Sequence, residues 1–338
     1  MTKRLNTFVP NFPSLSPYTN PPFLGYSITM FSLSPRRQAT LALLVNTIIW
    51  GAALPVVKPA LSFVSPYQFL FFRYLIGSVL ILPLLILLLF KHRPTLNQLF
   101  TILGLETLIM VLGHSLLYYG LSLTSSLESS LIGISSPIFI TLGGIFLLKE
   151  KEDRHELIGF SIALLGTLSI TLEPLLGGSF NGSGSTTGNL FVLSYVLLWT
   201  SYNLIAKKLY PHISKLLIAS LGLWIGTLGM LPVIYFFHPQ LIHLPTLIDS
   251  TISLLSIPTV LFSSLYMAVF GTIIAIPTYI FGLSKIEASE AALFTYLQPL
   301  ISIPLAIFWL HEPFKLINIV GLTLIAGGVF IAEKRTSA

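Results

Sequence analysis

Several ionisable side chains interrupt long apolar stretches of this 338-residue chain, and each is costly to place in a bilayer. Glu106 lies about eight residues into an apolar helix, on the order of 12 Å from its start. At that depth a carboxylate suits a substrate ammonium or carries a proton. A carboxyl hydrogen-bonded to a neighbouring helix fits equally well. His114, eight residues on, is turned about 80° away from Glu106 on a straight helix. It could share protons with Glu106, touch substrate, or serve structure alone; no metal partner stands at ligand spacing. Arg73 could take a carboxylate in bidentate fashion. Its place near a helix end favours snorkelling to the outer headgroups or pairing with a helix C-terminus. Glu128 and Glu290 occupy matching positions, where capping or gating competes with simple attraction to a helix N-terminus.

A second set is aromatic and amide. Asn46 and Trp50 are four apart and share a helix face; Tyr195, Trp199, Tyr202 and Asn203 make a matching stripe. Both tryptophans fall mid-helix, which favours the wall of a binding cavity over anchoring at the interface. Tyr118, Tyr279, Tyr296 and Gln298 join the set more weakly.

Many chemistries are excluded. With no cysteine there are no disulfides, thiolate zinc sites, iron–sulfur clusters or thiol nucleophiles. No phosphate-cradling glycine-rich loop, nucleophile elbow or His-Glu-x-x-His occurs, so no catalytic residue, cofactor or metal is expected. Ser115 beside His114 points away from it on a helix. No basic stripe with interleaved aromatics suggests nucleic acid, despite the net charge of +6.

The elements that must position these residues follow from composition. Hydrophobic residues make up 54% and charged residues only 9%, against about 25% in soluble domains. Most of the surface must therefore face lipid. An all-α membrane protein is predicted, with ten transmembrane helices at roughly 38–61, 67–90, 98–120, 124–148, 157–173, 189–208, 213–237, 259–283, 287–310 and 316–332. Prolines inside them, such as Pro55, Pro83, Pro232, Pro277 and Pro304, imply bent helices around a cavity. Residues 1–35 hold six prolines and no spanning run, and read as a flexible extension. Fifteen of the eighteen Lys and Arg fall on one set of loops and both termini, which puts both termini in the cytoplasm.

The chain also repeats itself. Shifted by 162, Gly120-Leu121-Ser122 meets Gly282-Leu283-Ser284, Glu128 meets Glu290, Pro137 meets Pro299, and Gly159 and Gly166 meet Gly321 and Gly328. Shifted by 149, Trp50 meets Trp199, Lys58 meets Lys207, Gly77 meets Gly226 and Pro83 meets Pro232. The two shifts differ through a longer loop at 238–258. Five helices per unit is an odd number, so the second unit must enter the membrane inverted, a mark of transporters that expose a central site alternately. The expected organisation is an extension at 1–35, a first repeat at 38–173, a Gly/Ser/Thr-rich linker at 174–188, a second repeat at 189–332 and a cytoplasmic tail at 333–338.

Trp50-Gly51, Phe72-Arg73-Tyr74, Tyr119-Gly120-Leu121, Pro137 and Lys149-Glu150 resemble one repeat of the EamA-type drug/metabolite transporters. Phe281-Gly282-Leu283, Gln298-Pro299, His311-Glu312 and Gly321, Gly327 and Gly328 resemble the other. The resemblance covers about 38–335 and implies export or exchange of a small metabolite. Glu106, His114 and Thr200 depart from its apolar or small residues. The expected function is secondary transport, by alternating access, of a small polar or amphipathic metabolite such as an amino acid. The alternatives are an intramembrane enzyme, or a drug or nucleotide-sugar transporter of the same superfamily. The expected site is Asn46, Trp50, Glu106, His114, Tyr118, Trp199, Tyr202, Asn203, Tyr296 and Gln298. Expected partners are a small-molecule metabolite and membrane lipids, with a homodimer compatible with the sequence, in a prokaryotic inner membrane. A reporter active only outside the cell, fused to Ala338, should stay silent; strong signal would contradict the charge count.

Overall fold

A computed structural model describes residues 34–136, 138–139, 154–176, 185–210, 213–241, 243–286 and 294–333. Pro137, the Lys149-Glu150 pair, Glu290, and most of the expected N-terminal extension, linker and tail lie outside them. The described residues are helical throughout. Seven helices are long and apolar enough to cross a membrane: α1 (Pro35–Ser62), α2 (Pro66–His92), α3 (Leu96–Leu123), the core of α5 (Arg154–Leu176, apolar over Ile158–Leu175), the core of α6 (Thr186–Leu209, apolar over Thr186–Ala206), α7 (Lys215–Phe237) and α9 (Pro258–Gly282). Shorter helices are α4 (Ser126–Gly133), α8 (Leu244–Leu255), α10 (Pro299–Trp309) and α11 (Leu316–Glu333).

Short-range chemistry sets the boundaries. Ser65-x-x-Gln68 and Thr95-x-x-Gln98 form reciprocal capping boxes that start α2 and α3. Ser125, Ser185 and Ser214 cap α4, α6 and α7 with their hydroxyls. Pro35 opens α1, one residue inside the expected extension. The expected linker at 174–188 is helical at both ends, because α5 runs through Pro174 to Leu176 and α6 starts at Thr186. The stretch 238–258, expected to be a loop, holds α8, which buries Leu247 and exposes Leu244, Ile248 and Ile252. Large exposed side chains such as Leu87, Phe90, Phe236 and Phe308 form the lipid-facing surface.

The packing follows the sequence repeat. α1 lies on α9 and α6 on α3; α2 pairs with α7, and α5 with α11. Individual contacts recur when the offset is added. A methyl group on Gly77 would come within 3.1 Å of Leu223, and one on Gly226 within 2.8 Å of Tyr74, the residue matching Leu223. Gly120 fits against Val192, and Gly282 against the matching Leu43. Gly166 abuts the Gly321 carbonyl, where an added methyl would sit at 2.7 Å, and Gly328 abuts the Gly159 carbonyl. On this symmetric frame Ser78 and Thr227, themselves 149 apart, share a hydrogen bond of 2.9 Å. Lipid supplies no hydrophobic drive between helices, so close backbone approach at small residues holds them together.

Leucine at Gly166 should force α5 away from α11 and lower the melting temperature in detergent by an amount equivalent to about 1–3 kcal/mol or more. Leucine at Gly104, where an added carbon meets nothing within 4 Å, should leave it unchanged.

Candidate functional site

The α3 backbone departs from a regular helix where the ionisable residues lie. Thr107–Gly113 is a π-helical turn between two α-helical stretches. Such a turn accommodates one extra residue without extra rotation. It takes Glu106 and His114 from about 80° apart to within about 20°. Both therefore face the same stripe on α6, which corrects the straight-helix expectation. The Tyr202 hydroxyl donates to the Glu106 carboxylate at 2.7 Å, and two turns earlier the His114 ring lies 5.8 Å from that of Tyr195. Trp199 stacks between them, 6.3 Å from Tyr195 and 5.5 Å from Tyr202. Glu106 is also reached by the hydroxyl of Tyr210, at 3.3 Å, just beyond the end of α6. Burial, and then the charge of Glu106, push the Tyr210 phenol well above its usual range, so it remains a donor at physiological pH. Gly222 of α7 leaves the carboxylate its room, since a methyl group there would lie 2.8 Å from Oε2.

Arg73 is where the structure departs most from expectation. It is only 7% exposed, so it does not snorkel to the headgroups. The reason is its register. It stands one turn before Gly77, on the face that α2 buries against α7. Its Nη1 donates to the Tyr118 hydroxyl, and its guanidinium carbon lies 5.3 Å and 5.5 Å from the ring centres of Tyr74 and Tyr118. The Tyr74 hydroxyl in turn meets His114 Nδ1 at 2.5 Å. Arg73, Tyr74, Tyr118, His114, Tyr195, Trp199, Tyr202 and Glu106 thus form one connected row. Tyr74 and Tyr210 escaped sequence reasoning, because nothing in their spacing distinguishes them from other membrane tyrosines.

The remaining expected residues lie elsewhere. Asn46 is buried and donates to the Ala275 carbonyl at 2.9 Å, and Trp50 Nε1 donates to the Gly271 carbonyl at 3.1 Å. Both carbonyls belong to the π-helical stretch of α9 or its end, where regular bonding is perturbed. Trp50 also packs against Tyr279 at 5.4 Å. Asn203 donates to Trp199 of its own helix. The backbone of Gln298 closes on Gly51, and Tyr296 packs against the core. No hydrogen bond or ring contact joins Asn46, Trp50 or Gln298 to Glu106 or His114 among the described residues.

A third polar cluster fastens α10 and α11 to α4. Glu312 accepts from the backbone N–H groups of Ser126 and Leu127, both at 2.8 Å, and from the Ser126 hydroxyl at 2.9 Å. Its neighbour His311 has a left-handed φ of 55°, unusual outside glycine, in the turn that delivers it. Glu128, in the first turn of α4, accepts from Thr124 at 2.8 Å and Asn189 at 2.9 Å. Lys58 donates to the last carbonyls of α3, Leu121 at 2.7 Å and Thr124 at 2.5 Å just beyond it. Glu312 and Lys58 thus cap helix ends, whereas Glu128, expected as a cap, gate or dipole partner, stands in a first helical turn and takes its donors from side chains.

A helical frame whose contacts recur at fixed offsets, carrying one buried acidic and aromatic row, has known relatives. Residues 37–172 and 186–333 each match the EamA-like transporter family. The chain belongs to that family. It is a membrane transporter of the drug/metabolite superfamily and not an enzyme. An uncharacterized transporter of Bacillus subtilis, YetK, is 29% identical over 91% of both chains. A probable amino-acid metabolite efflux pump of Salmonella typhimurium is 25% identical, over 88% of this chain and 94% of its own. A solved crystal structure at 18% identity shares the fold, with a TM-score of 0.57 over 88% of this chain and 97% of that one.

Alanine at Glu312 leaves two backbone donors of this EamA-like frame without their acceptor. It should lower thermal stability by about 1–3 kcal/mol, with glutamine, which keeps one acceptor oxygen, costing less. Equal melting temperatures for Glu312→Ala and the parent would show the clamp to be idle.

Proposed function

We propose that this transporter exports a small amphipathic metabolite bearing an amino group, most simply an amino acid, by alternating access. Ten spans arranged as two inverted five-helix repeats would rock about the α2–α7 contact. Both termini would lie in the cytoplasm of a prokaryotic inner membrane. The carrying observation is the buried Glu106 carboxylate, held by Tyr202 and Tyr210 at one end of the Tyr195–Trp199–Tyr202 stack. An aromatic wall accepts the apolar part of a cargo, and a carboxylate released from its tyrosine partners accepts an ammonium or a proton. The efflux pump named above, similar over most of its length, supports both the outward direction and the amino-acid class.

The charged row occurs once, not twice. The positions matching Glu106 and His114 in the second half are Ala268 and Ile276, and the position matching Arg73 is Gly222. This supports one cargo site served by both repeats. His114 and Tyr118 line it with Glu106, Trp199, Tyr202 and Asn203, while Asn46, Trp50, Tyr296 and Gln298 would face it from the α1–α9–α10 side in another conformation.

The test is counterflow of labelled amino acids in proteoliposomes. Glu106→Gln keeps the shape and removes the charge, and should cut flux by about tenfold or more. Trp199→Ala should raise KM. Unchanged flux and unchanged pH dependence in Glu106→Gln would make Glu106 structural. If Trp50→Ala and Trp199→Ala both leave affinity untouched, the site lies elsewhere.

A further inference from the structure

We propose that Arg73 is the carboxylate-binding residue of the transport site, and hence that the cargo carries an acid group. The inference rests on reading the aromatic row as the cargo site. It starts from an uncompensated charge. Arg73 is 93% buried by difference from its 7% exposure, and no carboxylate lies within ion-pair distance of it among the described residues. A buried charge without a counter-ion is strongly unfavourable, and such groups are retained in membrane segments where they meet ions or substrate.

The hydrogen bonding shows which edge lacks partners. Among the described residues, the guanidinium makes one hydrogen bond, from Nη1 to the neutral Tyr118 hydroxyl. Nε is buried and has no acceptor at all. Nη2 makes no hydrogen bond among the described residues; it and Nε lie on the edge whose parallel N–H groups a carboxylate fills with its two oxygens. The rings of Tyr74 and Tyr118 partly offset the charge but accept neither of these hydrogens. Symmetry gives a second argument. Contacts of the frame recur in both halves, whereas Arg73 answers to Gly222, so the guanidinium is not one of the repeated contacts.

Spacing then limits the cargo. Arg73 bonds Tyr118, which lies twelve residues along α3 from Glu106, about 18 Å at helical rise. The ammonium and carboxylate of an α-amino acid are far closer together than that. Such a cargo engages Arg73 and Glu106 at different stages of its passage, with the aromatic row between.

The experiment compares cargo pairs that differ only in the carboxylate: L-phenylalanine with phenethylamine, L-leucine with isoamylamine, and L-lysine with cadaverine. Counterflow is measured in proteoliposomes of the full chain. The parent should move at least one of these amino acids and prefer it to its amine. Arg73→Gln should raise KM for that amino acid by about tenfold or more while leaving the amine unchanged. As a check that needs no variant, the methyl ester of the transported amino acid should fail to compete with it. If an amino acid is moved but its ester competes equally, or Arg73→Gln preserves the preference, the Arg73 assignment falls and the carrier reading stands. If no amino acid in the panel shows counterflow, both fall.

Discussion

Everything in this fold depends on how closely helix backbones approach one another. Where Gly166 meets the Gly321 carbonyl, and Gly328 the Gly159 carbonyl, there is no room for even a methyl group. In lipid an apolar side chain gains little by leaving its neighbours, so contact must come from dispersion at short range. Glycine permits that range. The same device joins α2 to α7 and α3 to α6, each time with a bulky side chain from one half resting on a glycine of the other. Loosening these contacts would leave Arg73 and Glu106 without the walls that bury them.

Onto this doubled frame the chain has placed chemistry that is not doubled. The π-helical turn at Thr107–Gly113 has a counterpart in α9 at Tyr266–Ile274. In α3 it turns an acid and an imidazole toward α6; in α9 the carbonyls it perturbs are taken up by Asn46 and Trp50 of α1. One irregularity thus serves a charged row in one half and a neutral seam in the other. The two halves thus share the contacts of a frame but not the polar side chains set upon it.

Much of the frame is legible in the sequence because its contacts are made by residues with narrow roles. Gly77, Gly120, Gly166 and their partners at fixed offsets stand out against an apolar background. The row around Glu106 was partly legible too, since Tyr195, Trp199 and Tyr202 share a helical face. What could not be read was direction. Arg73 at a helix end looks like a headgroup contact until the pairing of α2 with α7 turns it inward. The alignment of His114 with Glu106 required a turn whose extra residue has no sequence signature. Helix α8 hides because twelve residues holding Pro245, Asp249 and three serines or threonines within its first eight positions look like a turn-rich connection. The clamp at Glu312 is a contact between distant segments, and local pattern says nothing of it.

The hydrogen bond between Ser78 and Thr227 has a property that no other side-chain hydrogen bond among the described residues shares. Its two members are each other's counterparts, so exchanging the conformations of the halves maps the bond onto itself. Only its proton need reverse. Thr227 also reaches the Leu223 carbonyl at 2.9 Å, which makes Ser78 the donor of the pair in this arrangement. A hydroxyl can give or receive, so the opposite polarity requires rotation of light atoms alone. The seam between α2 and α7 thus holds a hydrogen bond that can be made with either polarity, because each partner is a hydroxyl.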